Sequence, residues 1–479
     1  MMIINLPEEV GYIIERLNKH GYEGFAVGGC VRDRLLGREP EDWDIATNAL
    51  PQKVLELFSD VKTIPTGLRH GTITVVLKEK NFEITTYRVD GEYSDSRRPD
   101  KVSFSDSIEE DLKRRDFTIN AMAYNNHRGV VDPYGGQLDL KEKVIRCVGN
   151  ADERFSEDAL RMMRAVRFSA QLGFELSDDT RQAVIKNMAL LQKVSRERVA
   201  SELVKILISD FPGKVRELAE LGLMNHIMPE FKKCIGFKQQ YPGCAFTLDE
   251  HTYRTIENVE RDIVLRLAAL LHDIGIPETG GEDRQGMPHP LFFDAHTPST
   301  GLRADHKGIS QPSGHGEISA GLSYKILKDL RFDNNTINSV VKLVENHDAA
   351  IENSRKSICK WLEKMGNRDF ERLLKLKKAG AMAQNPDNYK KNCEEIEKVR
   401  IAYEELVHSK QCLGISDLAI NGDDLISLGL MEGKDIGNIL KGILDLVLEN
   451  PELNTRDTLI SIVRSKYFPR GENAQNRNS

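Results

Sequence analysis

Apolar and polar positions change period several times along the chain, and each change marks an element. From Leu6 to Lys19 the apolar residues recur at helical spacing, with Pro7 near the start and Gly21 closing the run, which predicts an amphipathic helix. Phe25-Ala26-Val27 is a short apolar run, as at a buried strand end. Val31 to Leu36 reads as a short helix, Asp42 to Ala46 as a second strand, and Pro51 to Phe58 as another helix. Thr72 to Leu77 and Phe82 to Arg88 are rich in β-branched residues and separated by the turn Lys78–Asn81, so two strands are expected there. Asp90 to Asp100 is polar and rich in turn formers, the pattern of a mobile loop. Val130 to Gly149 reads as a closing strand and turn, and from Phe155 onward the pattern is helical almost throughout. The expected fold class is α+β: a small mixed β-sheet head followed by an extended all-α remainder.

Length and composition divide this picture without changing it. At 479 residues the chain exceeds one compact core, so several domains are expected. Hydrophobic content of 40% and charged content of 29% are those of a globular protein. A net charge of −7 excludes a broadly basic nucleic-acid-binding surface, so any RNA site must be a local basic patch. The seven cysteines form no CxxC pair and fit reduced thiols in a cytosolic protein. MMIINLPEEV lacks the regions of a signal peptide, and no apolar run reaches the ~18 residues of a membrane span. A cytoplasmic protein with no membrane partner is expected.

Candidate chemistry gathers first at Gly28-Gly29, where the backbone can come close to a ligand. The N-terminal amides of the following helix would seat an anion, and Arg32 adds a fork-shaped donor for phosphate. Residues i and i+2 of a strand share a face, so Asp42 and Asp44 would project together beside this seat. Paired carboxylates next to phosphates suit Mg²⁺. Asp-x-Asp alone reads as a solvent-facing acidic turn. The glycine pair, Arg32 and the two aspartates together point to nucleotide chemistry.

GGCVRDRLLGREPEDWDIATNALP, residues 28–51, resembles the signature of the class II tRNA nucleotidyltransferases and bacterial poly(A) polymerases, members of the polymerase-β-like nucleotidyltransferase superfamily. The resemblance implies a nucleotidyltransferase head over residues 1–150. It implies that Asp42 and Asp44 are catalytic carboxylates holding Mg²⁺, and that Glu83 completes a trio with them. Without it, Glu83 is equally an exposed strand glutamate. In the family a flexible loop at the place of Asp90–Asp100 assists the final adenosine addition, which argues against an enzyme that stops after two cytidines. Ile108 to Tyr124 resembles a second family motif. Lys113, Arg114 and Arg115 form a basic cluster able to neutralise triphosphate or RNA phosphate. Asp116 could accept from a ribose hydroxyl, with Asn120 four residues later on the same helical face.

Phe155 to Phe174 predicts a helix with an apolar stripe through Leu160, Met163, Val166 and Phe168. Asp158, Arg161, Arg164 and Arg167 recur every three residues, along one helical ridge. A solvated, salt-bridging face is the plain reading of such a ridge. EDALR followed by RAVRF resembles the family's base-reading motif, in which the aspartate accepts from the exocyclic amine of cytosine or adenine and the arginine donates to the neighbouring ring nitrogen. Uracil and guanine would set acceptor against acceptor at Asp158, and leaving such groups unpaired rejects the wrong base. Ser177 to about Phe231, including the amphipathic SRERVASELVKIL from Ser195, belongs to the expected helical neck over 151–240.

Residues 245–350 carry another constellation: His251, His272-Asp273, His315 and His347-Asp348. Its order resembles HD-type metal phosphohydrolases, which implies a transition-metal site, Ni²⁺ or Mn²⁺, on His251, His272, Asp273 and Asp348. Ile276 stands where that family commonly has lysine, and the Gly/Pro/His-rich segment near 278–314 reads as an inserted loop, so an HD fold kept for structure alone stands beside an active one. Residues 351–479 resemble the helical body and tail of HD-containing CCA-adding enzymes, with a disordered end. There Lys375, Lys377 and Lys378 could meet tRNA phosphate, or form a solvated face.

The resemblance thus implies template-independent addition of CCA to tRNA from CTP and ATP. Gly29, Arg32 and Arg115 would hold triphosphate. Asp158 and Arg161 would read the base, supported by Arg164 and Arg167. The alternatives are an A-adding tRNA nucleotidyltransferase, a bacterial poly(A) polymerase, whose usual basic tail is lacking, and a metal-dependent HD phosphohydrolase with an inactive head.

Overall fold

The apolar run around Phe25 is buried on every side. Strand β1 (Gly24–Val27) has all four residues buried, because it lies inside a seven-stranded sheet rather than at its edge. The computed structural model describes residues 4–91, 102–238, 246–279, 314–384, 386–408, 414–430 and 433–467. Nearly all of the loop expected at Asp90–Asp100, the insertion expected near 278–314 and the disordered end lie outside the described residues. The chain divides into two compact units, residues 1–235 with 325–333, and residues 236–324 with 334–479.

The first unit carries the sheet. Its strands are β1, β2 (Asp44–Thr47), β3 (Lys62–Gly67), β4 (Thr72–Leu77), β5 (Lys80–Thr86), β8 (Ala123–Asn125) and β9 (Gly129–Val131), in the order β3-β4-β5-β2-β1-β8-β9. Two short strands, β6 (Arg88–Asp90) and β7 (Val102–Phe104), pair separately. β2 runs parallel to β5 and the other pairs of the large sheet are antiparallel, so it is mixed, as expected. The β4–β5 hairpin turns through Lys78 and Glu79, both at positive φ, which matches the twist of the flanking strands. Phe25, Val27, Ala46, Tyr87, Ile108, Leu112 and Ala123 form the core that fixes β1 and β2 against the helix Ile108–Lys113.

Three expectations change. β2 begins at Asp44, which leaves Asp42 in the loop before it instead of on the strand. The helix of the second motif ends at Lys113, well before Asp116. Beyond it the chain turns to bury Phe117, which bridges to Cys147, and a short 3-10 turn, Thr118–Asn120, follows. The helix expected from Phe155 to Phe174 is two helices, Ala151–Glu157 and Leu160–Leu172. Asp158 breaks it with extended backbone, because its carboxylate accepts from Leu160 N at 3.0 Å, a local bond that competes with helix continuation. The helix Arg196–Leu207 packs on Leu160–Leu172 and buries Val199, Leu203 and Ile206.

Among its described residues the second unit is helical apart from one bridge between Lys238 and Thr247. Ile263–Leu271 is apolar except for Arg266, and every residue from Val264 to Leu271 is buried, so it forms a central helix. It packs on Leu248–Asn258, Asn334–Asn346 and Asn367–Met382, and it ends at His272-Asp273. A separate apolar cluster through Leu425, Ile443, Val447, Leu459 and Val463 holds the last helices together. Among the described residues no helix is long and apolar enough to cross a membrane. Cys30, Cys147, Cys234, Cys359 and Cys393 are free thiols.

Two glycine substitutions should separate crowding from chain entropy. A Cβ on Gly136 would meet Thr118 O at 2.3 Å, so Gly136→Ala should cost about 1–3 kcal/mol. Gly11 lies inside the helix Glu8–Lys19 with nothing within 4 Å of such an atom, and Gly11→Ala should stabilise by about 0.5–1 kcal/mol. Urea denaturation of the two variants beside the parent chain checks both signs.

Candidate active site

Gly28 sits at φ 79°, a conformation that favours glycine, and its N–H donates to Met122 O at 3.0 Å. A Cβ here would meet Arg115 Nη1 at 2.7 Å, so the guanidinium lies directly against the backbone. Gly28 also caps the helix Gly29–Leu35, which carries Arg32. A cavity of about 500 Å³ opens beside this turn. Gly28, Gly29, Arg32, Asp44, Arg115, Asp158, Arg161, Arg164 and Arg167 all line it.

Asp44 and Glu83 are direct partners across the parallel pair β2 and β5. Asp44 is raised above the ordinary carboxyl range by its low-dielectric surroundings, against the pull of Arg115 and with a further push from Asp42. Glu83 is raised by desolvation and by the charges of Asp44 and Asp42. Asp42 has left the strand, yet its charge still acts on both of the other carboxylates. Asp44 and Glu83, each raised beside other carboxylates, are donors that a divalent cation would relieve, and oxygen ligands of this kind fit magnesium.

The cationic side is built on Phe168. The guanidiniums of Arg167, Arg32 and Arg164 lie 4.2, 5.2 and 5.3 Å from its ring centroid. Arg32 donates to Asn120 Oδ1 at 2.7 Å and to Asp33. Arg115 reaches Asp111, while its buried Nε has no acceptor among the described residues. Arg167 lies 3.1 Å from Glu202 but is pushed down to about 10 by burial and by Arg164. Three guanidiniums gathered on one ring, with Arg167 depressed by burial and by its neighbour Arg164, make a positive wall suited to an anion.

Asp116 does not face the cavity as a free acceptor. It takes hydrogen bonds from Arg164 Nε at 2.7 Å, Phe117 N at 2.9 Å and Asn120 Nδ2 at 3.3 Å. Burial alone would raise its carboxyl, and Arg164 and Arg161 instead hold it at about 2. Arg161 donates to Glu157 at 2.7 Å and to Arg114 O at 3.1 Å. Asp158 pairs with Arg198 at 2.8 Å. Arg198 and Phe168 were not among the expected site residues. Phe168 has only its place in an apolar stripe as a signal, and Arg198 lies forty residues from Asp158 with no local pattern linking them.

A second cluster lies within the helical unit. His272 and His347 set their Nδ1 atoms on the carbonyls of Ala269 and Val344, at 2.9 and 2.7 Å, and His251 sets its Nδ1 3.3 Å from Ala383 O. A ring that donates from Nδ1 presents a lone pair at Nε2. Yet the Nε2 atoms of His251 and His272 are 3.2 Å apart, and those of His315 and His347 3.1 Å apart. Asp273 lies between the pairs, 3.2 Å from His272 and 3.0 Å from His347. Imidazole Nε2 atoms that converge around a buried carboxylate are the donor arrangement of a transition-metal cradle. His251 is pushed down to about 4 by burial and by His272. Burial would raise Asp273, but the surrounding imidazoles hold it well below the carboxylate range. The expected set of His251, His272, Asp273 and Asp348 is thus joined by His315 and His347, while Asp348 stands to one side, 3.7 Å from His315 Nδ1.

The three lysines do not form one basic face. Lys375 pairs with Glu260 and Glu371, and Lys378 with Glu397. Lys377 turns inward to the carbonyls of His347 and Ala349, and burial pushes it down to about 8.

Comparison with known proteins sets the class through the head. Residues 24–146 match the family described as "Poly A polymerase head domain". Residues 173–235 match "Probable RNA and SrmB- binding site of polymerase A", and 318–463 match "tRNA nucleotidyltransferase domain 2". The CCA-adding enzyme of Geobacillus thermodenitrificans is 53% identical over 216 residues, 45% of this chain and 53% of its own length. That of Lactobacillus delbrueckii subsp. bulgaricus is 53% identical over 196 residues, 41% and 49% of the two chains. The chain spans about half the length of these curated relatives. The crystal structure of Bacillus stearothermophilus CCA-adding enzyme in complex with CTP is 30% identical, with a TM-score of 0.68 over 96% of this chain and 98% of that one. The chain belongs to the class II tRNA nucleotidyltransferase family.

The Asp116–Arg164 pair should show in the pH dependence of stability. A carboxyl at about 2 in the folded chain and near 3.8 unfolded contributes stability above about pH 4, which is lost as pH falls toward 2. Asp116→Asn should therefore be less stable than the parent at pH 7 by on the order of 2 kcal/mol, with the gap narrowing below about pH 4. Urea titrations between pH 3 and 7 measure the gap. A gap independent of pH would assign the loss to packing alone.

Proposed function

We propose that this chain adds CCA to the 3′ end of tRNA from CTP and ATP, without a template and with release of pyrophosphate. One observation carries the reading: a single cavity gathers the Gly28-Gly29 turn, the Asp44 carboxylate, the guanidiniums of Arg32 and Arg115, and the pair Asp158 and Arg161. In this reading Gly29, Arg32 and Arg115 hold the triphosphate, and the tRNA 3′-hydroxyl attacks the α-phosphate in line with the departing pyrophosphate. Asp42 and Asp44, with Glu83 beside them, would hold magnesium, which when bound would supply positive charge to the attacking and leaving oxygens. Asp158 accepts from the amine of cytosine or adenine, replacing the N–H groups of Arg198, and Arg161 donates to the ring nitrogen. Arg164 and Arg167 keep this wall in place. A finer division goes with the reading: head 1–150, neck 151–240, HD region 245–350, body and tail 351–479, in a cytoplasmic protein.

The test is incubation with tRNA lacking all, or only the last, of its CCA, with labelled CTP and ATP. Addition of CCA to the first substrate supports the reading. Addition of A alone, to the second only, would assign an A-adding enzyme, and long A tracts a poly(A) polymerase. Asp42→Ala and Asp44→Ala should abolish addition in folded protein. Asp158→Asn should raise kcat/KM for UTP and GTP relative to CTP and ATP, because an amide can also donate. Arg161→Ala should lower use of both correct nucleotides by about ten- to a hundredfold, the worth of a lost charge-assisted bond.

A second reading belongs to the helical unit. We infer a transition-metal centre, manganese or nickel, held by His251, His272, Asp273, His315 and His347, and a metal-dependent phosphohydrolase activity. The facing Nε2 pairs around Asp273 favour it. His272→Ala with Asp273→Ala should lose bound Mn²⁺ on equilibrium dialysis while CCA addition continues. Equal metal content in parent and variant would remove the centre.

A further inference from the structure

The His-Asp cluster opens into a cavity of about 470 Å³, a size typical of small-molecule sites. The imidazoles and Asp273 line it. Ile276, Ile351, Leu374 and Ile396 give it an apolar wall, and Gln384 and Asn392 add two amides, 3.3 Å apart. The turn that follows the His-Asp pair contributes only Ile276, which is 2% exposed, so it brings no cation. Among the described lining residues Lys377 alone is a lysine or arginine, and it comes from the later helix Asn367–Met382.

Lys377 Nζ is fixed by the carbonyls of His347 and Ala349, each at 2.8 Å. Both follow the end of the helix Asn334–Asn346, where unpaired carbonyls favour a cation. An ammonium has three donors, and these bonds use two. Capping a helix end requires no more than a surface lysine. This one is instead drawn into the cavity, beside Asp348 and next to His347. An anionic ligand reaching the cluster meets the carboxylates of Asp273 and Asp348, and a fixed ammonium at the same wall offsets that repulsion. The apolar wall and the amide pair suit a flat organic group with polar edges.

We propose that Lys377 receives the phosphate of a mononucleotide-sized phosphate ester in this cavity, supplying from the later helix the cation that Ile276 does not. The proposal rests on the metal-centre reading above, and its test separates the two. Calorimetry on the full chain would follow Mn²⁺ alone, then inorganic phosphate and adenosine 5′-monophosphate added to the Mn²⁺-loaded protein. Lys377→Met should keep Mn²⁺ binding and CCA addition, and lose about ten- to a hundredfold in affinity for both phosphate probes. Lys377→Arg should retain most of the affinity, and Ile276→Lys placed in Lys377→Met should restore part of it. Thermal melts identify any variant that fails to fold. If Lys377→Met does so, Lys377→Arg and the double variant carry the test, and weak phosphate binding by both would overturn the proposal. A parent chain that takes up no Mn²⁺ would overturn the metal centre and the proposal with it. Parent-like phosphate affinity in Mn²⁺-loaded Lys377→Met would overturn the role of Lys377 alone.

Discussion

Arg115 rests on the bare backbone of Gly28, and the arrangement of the head follows from that contact. The guanidinium fits only because position 28 has no Cβ and takes a positive φ. The turn places the first strand of the pair that carries Asp44, and its N–H ties it to Met122. Arg115 in turn is held by Asp111 and pulls on the Asp44 carboxyl. One close approach therefore couples the glycine turn, the carboxylate edge of the sheet and the helix Ile108–Lys113. Packing of Phe25, Val27, Ile108 and Leu112 beneath it supplies the rigidity that keeps a charged wall in place.

Crowding of like groups is the shared principle of both clusters. Asp44 and Glu83 are raised by desolvation and by neighbouring carboxylates, and Arg167 is depressed by burial and by Arg164. In the helical unit imidazole nitrogens face imidazole nitrogens. Such arrangements oppose stability, and proteins concentrate them where a ligand relieves the conflict. The two clusters want different ligands. Carboxylate oxygens beside guanidiniums suit a hard cation with phosphate, whereas imidazoles around one carboxylate suit a softer metal.

Local pattern made much of this legible. β-branched runs announced β4 and β5, and the glycine pair with Asp-x-Asp announced the turn and its carboxylates. Periodicity misled where a side chain competes with the backbone. Asp158 keeps its three-residue spacing to Arg161, yet it stops one helix and bonds to the amide near the start of the next, so the expected ridge begins only at Arg161. Asp116 and Asn120 meet, but through a turn built around buried Phe117 rather than along a helix. Long-range partners had no sequence signal at all. Arg198 reaches Asp158 from another helix, and Lys377 leaves its two neighbouring lysines to enter a cavity. Spacing reports which residues share a face and not which distant element that face meets.

The acidic balance of the chain bears on how the head could attract nucleotides. A net charge of −7 offers no broad field for a triphosphate. The arginines of the cavity are met by carboxylates from other turns and helices: Arg115 by Asp111, Arg161 by Glu157, Arg164 by Asp116, Arg167 by Glu202, Arg198 by Asp158. This pairing reduces long-range pull, but it fixes each guanidinium before a ligand arrives. Orientation that is complete at folding need not be supplied again on binding, and fixed donors stabilise developing charge without reorganising. The arrangement favours selectivity over capture: a nucleotide gains from this wall only if its phosphates and base match donors that are already set.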